Sequence, residues 1–228
     1  PLNHPDSCDV IVALRARNVE VFEDAAQCWY TLTYAAGEHG ALSGPSPQTV
    51  FHGDDGLPVT AVPDVGCYFT QWSDSNTDNP RADLDVTEDV AVTAYFAIHQ
   101  YLLTYTAGAN GSIEGDSPQI VNYGTDGASV AAIPDEGYHF DVWSDGRTDN
   151  PRVDTCNTQD VTVSAEFAVN QYVLTYLAGA NGVVSGPTPQ TVTHGADGAP
   201  VTAVPDEGYH FDLWSDHVVN NPRADLYN

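Results

Sequence analysis

Apolar and polar positions alternate with a period of two in short runs along most of the chain. Tyr30, Leu32 and Tyr34 alternate with Thr31 and Thr33, and the pattern returns at Tyr101, Leu103, Tyr105 and at Tyr172, Leu174, Tyr176. Alternation rich in aromatic and β-branched residues predicts a half-buried strand at each place. Gly37, Gly40 and Gly44 then mark a turn, and a short strand follows Pro47-Gln48. Asp55-Gly56 supplies positive φ for the next reversal. Val59 to Val62 predicts another strand, ended by Pro63-Asp64. The most distinctive stretch is Gly137 to Asp145, with Phe140 and Trp143 as apolar anchors. Closing strands carry inward Val90, Val92, Ala94, Phe96 and Val161, Val163, Ala165, Phe167. Helical periodicity is absent over any useful length, so the chain reads as mostly β.

The same order of elements is written three times. Trp72, Trp143 and Trp214 recur every 71 residues, as do Tyr30, Tyr101 and Tyr172. The expected organisation is an N-terminal extension over 1–29 and copies at 30–100, 101–171 and 172–228. The third copy stops 14 residues short of a full unit and lacks the segment matching Asp160 to Phe167. At the other end, Asp9 opens a run whose Val10, Val12, Leu14 and Ala16 are in phase with Val161, Val163, Ala165 and Phe167. A β unit without its last strand exposes an apolar groove and unpaired backbone groups. The expectation is head-to-tail polymerisation, with the N-terminal strand of one subunit completing the third copy of the next. Two other readings stay open: a fragment of a longer array, and a strand that folds back onto its own chain.

The pattern Y-x-L-T-Y-x-A-G-x-x-G, P-Q-x-V, A-V-P-D-x-G-Y-H-F-x-x-W-S-D, N-P-R and a closing V-x-V-x-A-x-F strand resembles the divergent branch of the internalin-type B-repeat family (Listeria-Bacteroides repeat), over residues 30 to 228. The resemblance implies compact β-grasp-like or sandwich-like modules, carried in tandem on secreted and surface bacterial proteins. It implies no catalytic residues and a role as spacer, stalk or adhesive segment. A surface adhesin that binds glycan or a host protein without polymerising is the alternative function.

Composition narrows the partners. Thirty-two acidic residues against six Lys and Arg give a formal charge of −26, which excludes nucleic acid and anionic membrane surfaces. All six are arginines, so lysine isopeptide crosslinks are excluded. The chain has no apolar run near the roughly 20 residues that span a bilayer. Pro1 in place of an initiator methionine marks a processed protein or a fragment. Cys8, Cys28, Cys67 and Cys156 form no metal or redox spacing and predict an oxidised, extracellular setting. The preferred pairing is Cys8 with Cys28 and Cys67 with Cys156, among three possible connectivities.

Candidate chemistry is sparse. His139 and His210 occupy the place of Tyr68, while His52 and His194 occupy that of Tyr123. A ring that exchanges with tyrosine packs or hydrogen-bonds rather than catalyses, and no Ser-His-Asp set recurs. Asp74, Asn76 and Asp78 alternate as calcium ligands do, yet the same spacing suits an Asx-rich turn that presents Arg81 to Asp83. The equivalent positions carry Arg147 and Val218. Calcium is therefore the one weak cofactor candidate. Trp72, Trp143 and Trp214 read as core rather than as sugar-stacking platforms. Asn110-Gly111-Ser112 is a sequon in an expected turn.

Overall fold

A computed structural model describes Cys8, Arg17 and residues 28–226. The chain divides into two compact units, residues 1–101 with 121–125 and 156–159, and residues 102–120 with 126–155 and 160–228. The candidate donor strand Val10, Val12, Leu14 and Ala16 lies outside the described residues.

In the first copy, β1 (Trp29–Ala36), β2 (Gly40–Ser43), β3 (Gln48–Phe51), β4 (Thr60–Pro63), β5 (Cys67–Trp72) and β6 (Val90–Ile98) follow in chain order. Four of them form a sheet in the order β3-β1-β6-β5, and β2 pairs with β4. The central pair is parallel, with Leu32 opposite Val90 and Ala36 opposite Ala94. Its flanks are antiparallel, Tyr30 facing Val50 and Trp72 facing Ala94. A parallel pair needs a long connection between its strands, and here that connection is the rest of the copy. First and last strands thus meet at the centre of a mixed, β-grasp-like sheet. Leu32, Val59, Trp72 and Ala94 are its most buried side chains, packed with Tyr34, Ala61, Val86 and Val92.

The second copy repeats this with β7 (Gln100–Ala107), β8 (Gly111–Glu114), β9 (Gln119–Asn122), β10 (Ala131–Pro134), β11 (Tyr138–Trp143) and β12 (Val161–Val169). The sheet order is β11-β12-β7-β9, with β10 paired to β8. Leu103, Val130, Trp143 and Ala165 take the buried places of Leu32, Val59, Trp72 and Ala94.

The third copy has β13 (Gln171–Leu174), β14 (Gly182–Ser185), β15 (Gln190–Thr193) and β16 (Thr202–Pro205), in two pairs, β13-β15 and β14-β16. Its opening strand is four residues long where β1 and β7 are eight. The stretch from Tyr209 to Trp214, which matches β5 and β11, is not a strand. Both losses have one cause. In the other copies these backbones pair with β6 or β12, and among the described residues of the third copy no such strand is present.

Four expectations require correction. Neither Asp55 nor Gly56 takes a positive φ, and after β3 it is Gly53 that does, at 82°. The glycine-flanked stretch from Gly40 to Ser43 is a strand rather than part of a turn, because Ala41 and Leu42 pair with Val62 and Ala61. The strand expected from Val59 begins at Thr60, and Val59 makes an isolated bridge to Arg81. Cys8 and Cys28 form a disulfide, but no disulfide joins Cys67 to Cys156, so the second expected bridge is not made. Cys67 begins β5, whereas Cys156 holds a left-handed φ of 49° in the loop before β12.

Side chains also act as strand partners. Gln48 accepts from the Leu57 N–H and donates to its carbonyl, at 2.7 and 2.8 Å. Asn79 clamps Ala61 in the same two-point way, both bonds 2.8 Å. The Ser46 hydroxyl accepts from the Tyr34 N–H and donates to the Tyr34 carbonyl. Equivalent clamps recur on Ala128, Ala132 and Tyr105. Buried backbone groups that lack a ladder partner are thereby satisfied, which accounts for the repeated Pro-Gln and Asn-Pro-Arg signatures.

Candidate functional site

Each copy is built round one arginine. Arg152 donates through Nε and Nη2 to both oxygens of Asp154 and through Nη1 and Nη2 to Asp145, at 2.7 to 2.9 Å. Its guanidinium lies 5.4 Å from the Trp143 ring centroid and 5.9 Å from that of Tyr105. The Tyr105 hydroxyl donates to Asp154 at 2.7 Å. Arg81 with Asp74, Asp83, Tyr34 and Trp72, and Arg223 with Asp216, Asp225, Tyr176 and Trp214, reproduce the arrangement.

Burial by itself raises the Asp83 and Asp154 carboxyls, but hydrogen bonds from the arginine and the tyrosine outweigh it and hold both below the usual range. Burial, then the bond to the carboxylate, pushes Tyr34 and Tyr105 up. Among the described residues every buried side-chain nitrogen and oxygen has a hydrogen-bond partner. A saturated cluster of this kind carries structure, because all its charges are already committed.

Bonds within the turn engage Asp74 and Asn76 among the calcium candidates. Asp74 gives one oxygen to Arg81 at 2.7 Å and the other to the Asn76 N–H, while Asn76 accepts from the Asp78 N–H at 2.6 Å. In the second copy Arg147 takes the place of Asn76 and pairs with Asp149 and Asp154, both at 2.6 Å. Among the described residues no group of three or more His, Cys, Asp or Glu side chains is placed to hold a metal ion. Asn110 is exposed on the turn between β7 and β8 with φ 71°. The tryptophans that recur every 71 residues are core: Trp72 and Trp143 are fully buried and Trp214 is nearly so.

The exchangeable rings sit at joints. Tyr123 covers Gly66, and its N–H donates to the His99 carbonyl at 2.8 Å; His194 covers Gly137, and its N–H donates to Asn170 at 2.8 Å. A flat ring over a residue without a side chain explains why tyrosine and histidine interchange there. Gly208, the third such position, has no neighbouring atom within 4 Å.

The third copy carries an open surface. In the third copy a groove of about 730 Å³ runs between the opening strand and the Trp214 segment, lined by Leu174, Tyr176, Val184, Ala203, Phe211 and Trp214. It occupies the place that β6 and β12 fill. Those strands are held by repeated bonds: Thr31 and Leu102 N–H groups donate to the Asp89 and Asp160 carboxylates, both 2.8 Å. Gly37 and Gly108 donate to the Ala94 and Ala165 carbonyls, and Ser73 and Ser144 to the carbonyls of Thr93 and Ser164. Among the described residues no strand stands opposite the matching N–H groups of Val173, Gly179 and Ser215. Through the same opening Arg223 is 14 % exposed, against 2 % for Arg152.

A family model described as a divergent InlB B-repeat domain matches residues 30–100, 101–171 and 172–226. No curated protein and no solved structure matches the chain.

Proposed function

The chain belongs to the divergent InlB B-repeat family, and from that premise we propose that it is a secreted or surface-exposed bacterial structural subunit that assembles head to tail. The family is typical of surface or secreted bacterial proteins, and a repeat family with an all-β fold is typical of non-enzymatic structural ones. The partner is a second copy, whose segment from Asp9 to Ala16 enters the groove of the third copy and becomes the central strand of its sheet.

The observation that carries this reading is the groove, whose lining and backbone donors match those that hold β6 and β12. Strand addition supplies a ladder of backbone hydrogen bonds and pockets for alternate side chains. Burying Val10 and Val12 contributes roughly 1.5 to 3 kcal/mol each. An unpaired edge with apolar walls is otherwise a liability.

Electron microscopy and light scattering of the purified protein test the assembly. Filaments are expected from the intact chain and dispersed monomers after deletion of residues 1–17. A Val10→Asp, Val12→Asp variant, which leaves Cys8 in place, is expected to behave like the deletion. Filaments that persist in both would end this reading, and monomers of the intact chain that bind a glycan array would favour an adhesin.

A further inference from the structure

Six Asn-Gly or Asp-Gly pairs stand in the chain, at Asp55-Gly56, Asn110-Gly111, Asp126-Gly127, Asp145-Gly146, Asn181-Gly182 and Asp197-Gly198. Glycine has no Cβ to shield its backbone nitrogen, so that nitrogen can attack the carboxyl or amide carbon of the preceding side chain. In a folded chain the attack requires the nitrogen and the side chain both to be uncommitted. Four of the pairs fail this condition. The Gly56, Gly127 and Gly198 N–H groups donate to the carbonyls of Asp83, Asp154 and Asp225, and that of Gly146 to the carbonyl of Trp143, all at 2.7 to 2.8 Å.

The two asparagine pairs meet it. Asp135 N–H donates to the Asn110 carbonyl and Asp206 N–H to the Asn181 carbonyl, both at 3.0 Å. Hydrogen-bonded and non-hydrogen-bonded pairs alternate along an antiparallel ladder, so the next pairs, Gly111 opposite Pro134 and Gly182 opposite Pro205, are of the second kind. Among the described residues β8 pairs with β10 alone and β14 with β16 alone. The Gly111 and Gly182 N–H groups therefore face outward from an open strand edge. Asn110 and Asn181 are exposed, and among the described residues neither side chain makes a hydrogen bond.

The fold asks for both residues of each pair. Asn110 and Asn181 have φ of 71° and 65°, a left-handed backbone that asparagine tolerates better than most residues. A Cβ on Gly111 would enter the Phe167 ring, and one on Gly182 would lie 2.8 Å from the Val204 carbonyl oxygen. The first copy meets the same demands with His39, φ 69°, before Gly40. An imidazole offers no carbonyl carbon to attack.

We propose that Asn110 and Asn181 are sites of spontaneous deamidation in the folded protein. The Gly111 nitrogen bonds to the Asn110 Cγ, the Cγ–Nδ2 bond breaks, and the glycine N–H proton leaves with the side-chain amine as ammonia. Water then opens the cyclic imide at one carbonyl or the other, giving aspartate or isoaspartate. Either product sets a new carboxylate beside Asp135, whose N–H bonds to this residue. Isoaspartate also routes the main chain through the former side chain, so the carbonyl that accepts from Asp135 becomes a free carboxylate. The turn between β7 and β8 gains charge as the protein ages, as does the turn before β14, and the matching turn of the first copy does not.

Peptide mapping by mass spectrometry, on the intact protein held at mildly alkaline pH, tests this against a matched control. Asp197 is exposed, and the Gly198 N–H that follows it is committed, so Asp197→Asn supplies the same chemistry without the free nitrogen. Asn110 and Asn181 are expected to convert while the chain is folded. The Asp197→Asn site is expected to convert about tenfold or more slowly, because a hydrogen bond must break before the attack. In urea the three sites converge. Asn110→His, which places the first copy's residue in the second, removes the product at that turn and leaves the one at Asn181. Retention of both native amides in the folded protein, while urea releases them, overturns the proposal. So does an Asp197→Asn site that converts in the folded chain as fast as Asn110.

Discussion

The guanidinium of Arg152 lies over the indole of Trp143, 5.4 Å from the ring centroid, while its edge is held by Asp154. One side chain thus joins the apolar core to the charged loop that follows it. Removing the arginine leaves Asp154 with Arg147 and the Tyr105 hydroxyl as partners, and breaking a buried pair costs at most about 3 to 5 kcal/mol. Arg152→Leu is expected to lower urea stability by that order. Arg223→Leu, whose site is more exposed, is expected to cost distinctly less. Equal losses at the two positions would show that burial does not set the strength of the cluster.

The same cluster fixes how stability depends on pH. Asp154 and Asp83 have folded pKa values below the ordinary 3.8, so the native state binds fewer protons than the unfolded chain around that pH. Their contribution is complete above about pH 4 and is lost as pH falls through the folded values. Tyr105 and Tyr34 are shifted upward from 10, so their contribution is complete below about pH 10 and is lost as pH rises beyond it. A plateau of melting temperature between those limits is expected. Measuring at about 0.5 M salt suppresses the general repulsion of a chain of charge −26. Tyr105→Phe should flatten the alkaline limb, and an unchanged limb would assign it elsewhere.

Periodicity made the three copies, the strands and the Trp and Phe core legible, because each rests on local alternation or on identity at a fixed interval. The Asx turn that presents Arg81 to Asp83 was legible for the same reason, since the two residues are close in sequence. Pairing of Leu32 with Val90 was not, as a parallel pair formed across a whole copy leaves no local trace. The strand from Gly40 to Ser43 was hidden by its glycines: Gly40 seats the Phe96 ring, while Gly37 and Gly44 lie against the carbonyls of Ala94 and Pro58. Gln48 and Asn79 look like loop polarity in the sequence and become strand surrogates only once Leu57 and Ala61 are brought opposite them.

The joint glycines offer an internal comparison. Gly66, Gly137 and Gly208 have φ of 80°, 83° and 87°, so alanine at any of them carries the left-handed cost of about 1 to 2 kcal/mol. At Gly66 and Gly137 the methyl group would also displace Tyr123 or His194, whereas Gly208 faces open space. Thermal melts of the three alanine variants are expected to rank Gly208→Ala as the mildest. A uniform loss would mean the rings contribute nothing to the joints.

Asn150 provides the sharpest test of side chains as strand partners. Its carbonyl oxygen accepts from the Ala132 N–H at 2.9 Å and its amide donates to the Ala132 carbonyl at 2.7 Å. Ala132 is almost fully buried, so water does not easily replace either bond. Asn150→Ala leaves a donor and an acceptor unsatisfied at about 1 to 3 kcal/mol each. Asn150→Asp keeps the acceptor for the N–H but sets a carboxylate against the carbonyl, so it is expected to destabilise near neutral pH and to recover in part when protonated. Hydrogen exchange locates the effect: the Ala132 amide should lose protection in Asn150→Ala and keep more of it in the aspartate variant at low pH. Unchanged protection of that amide in both would mean that the pairing of β10 with β8 suffices without the clamp, and the repeated Asn-Pro-Arg signature would then be explained by its arginine alone.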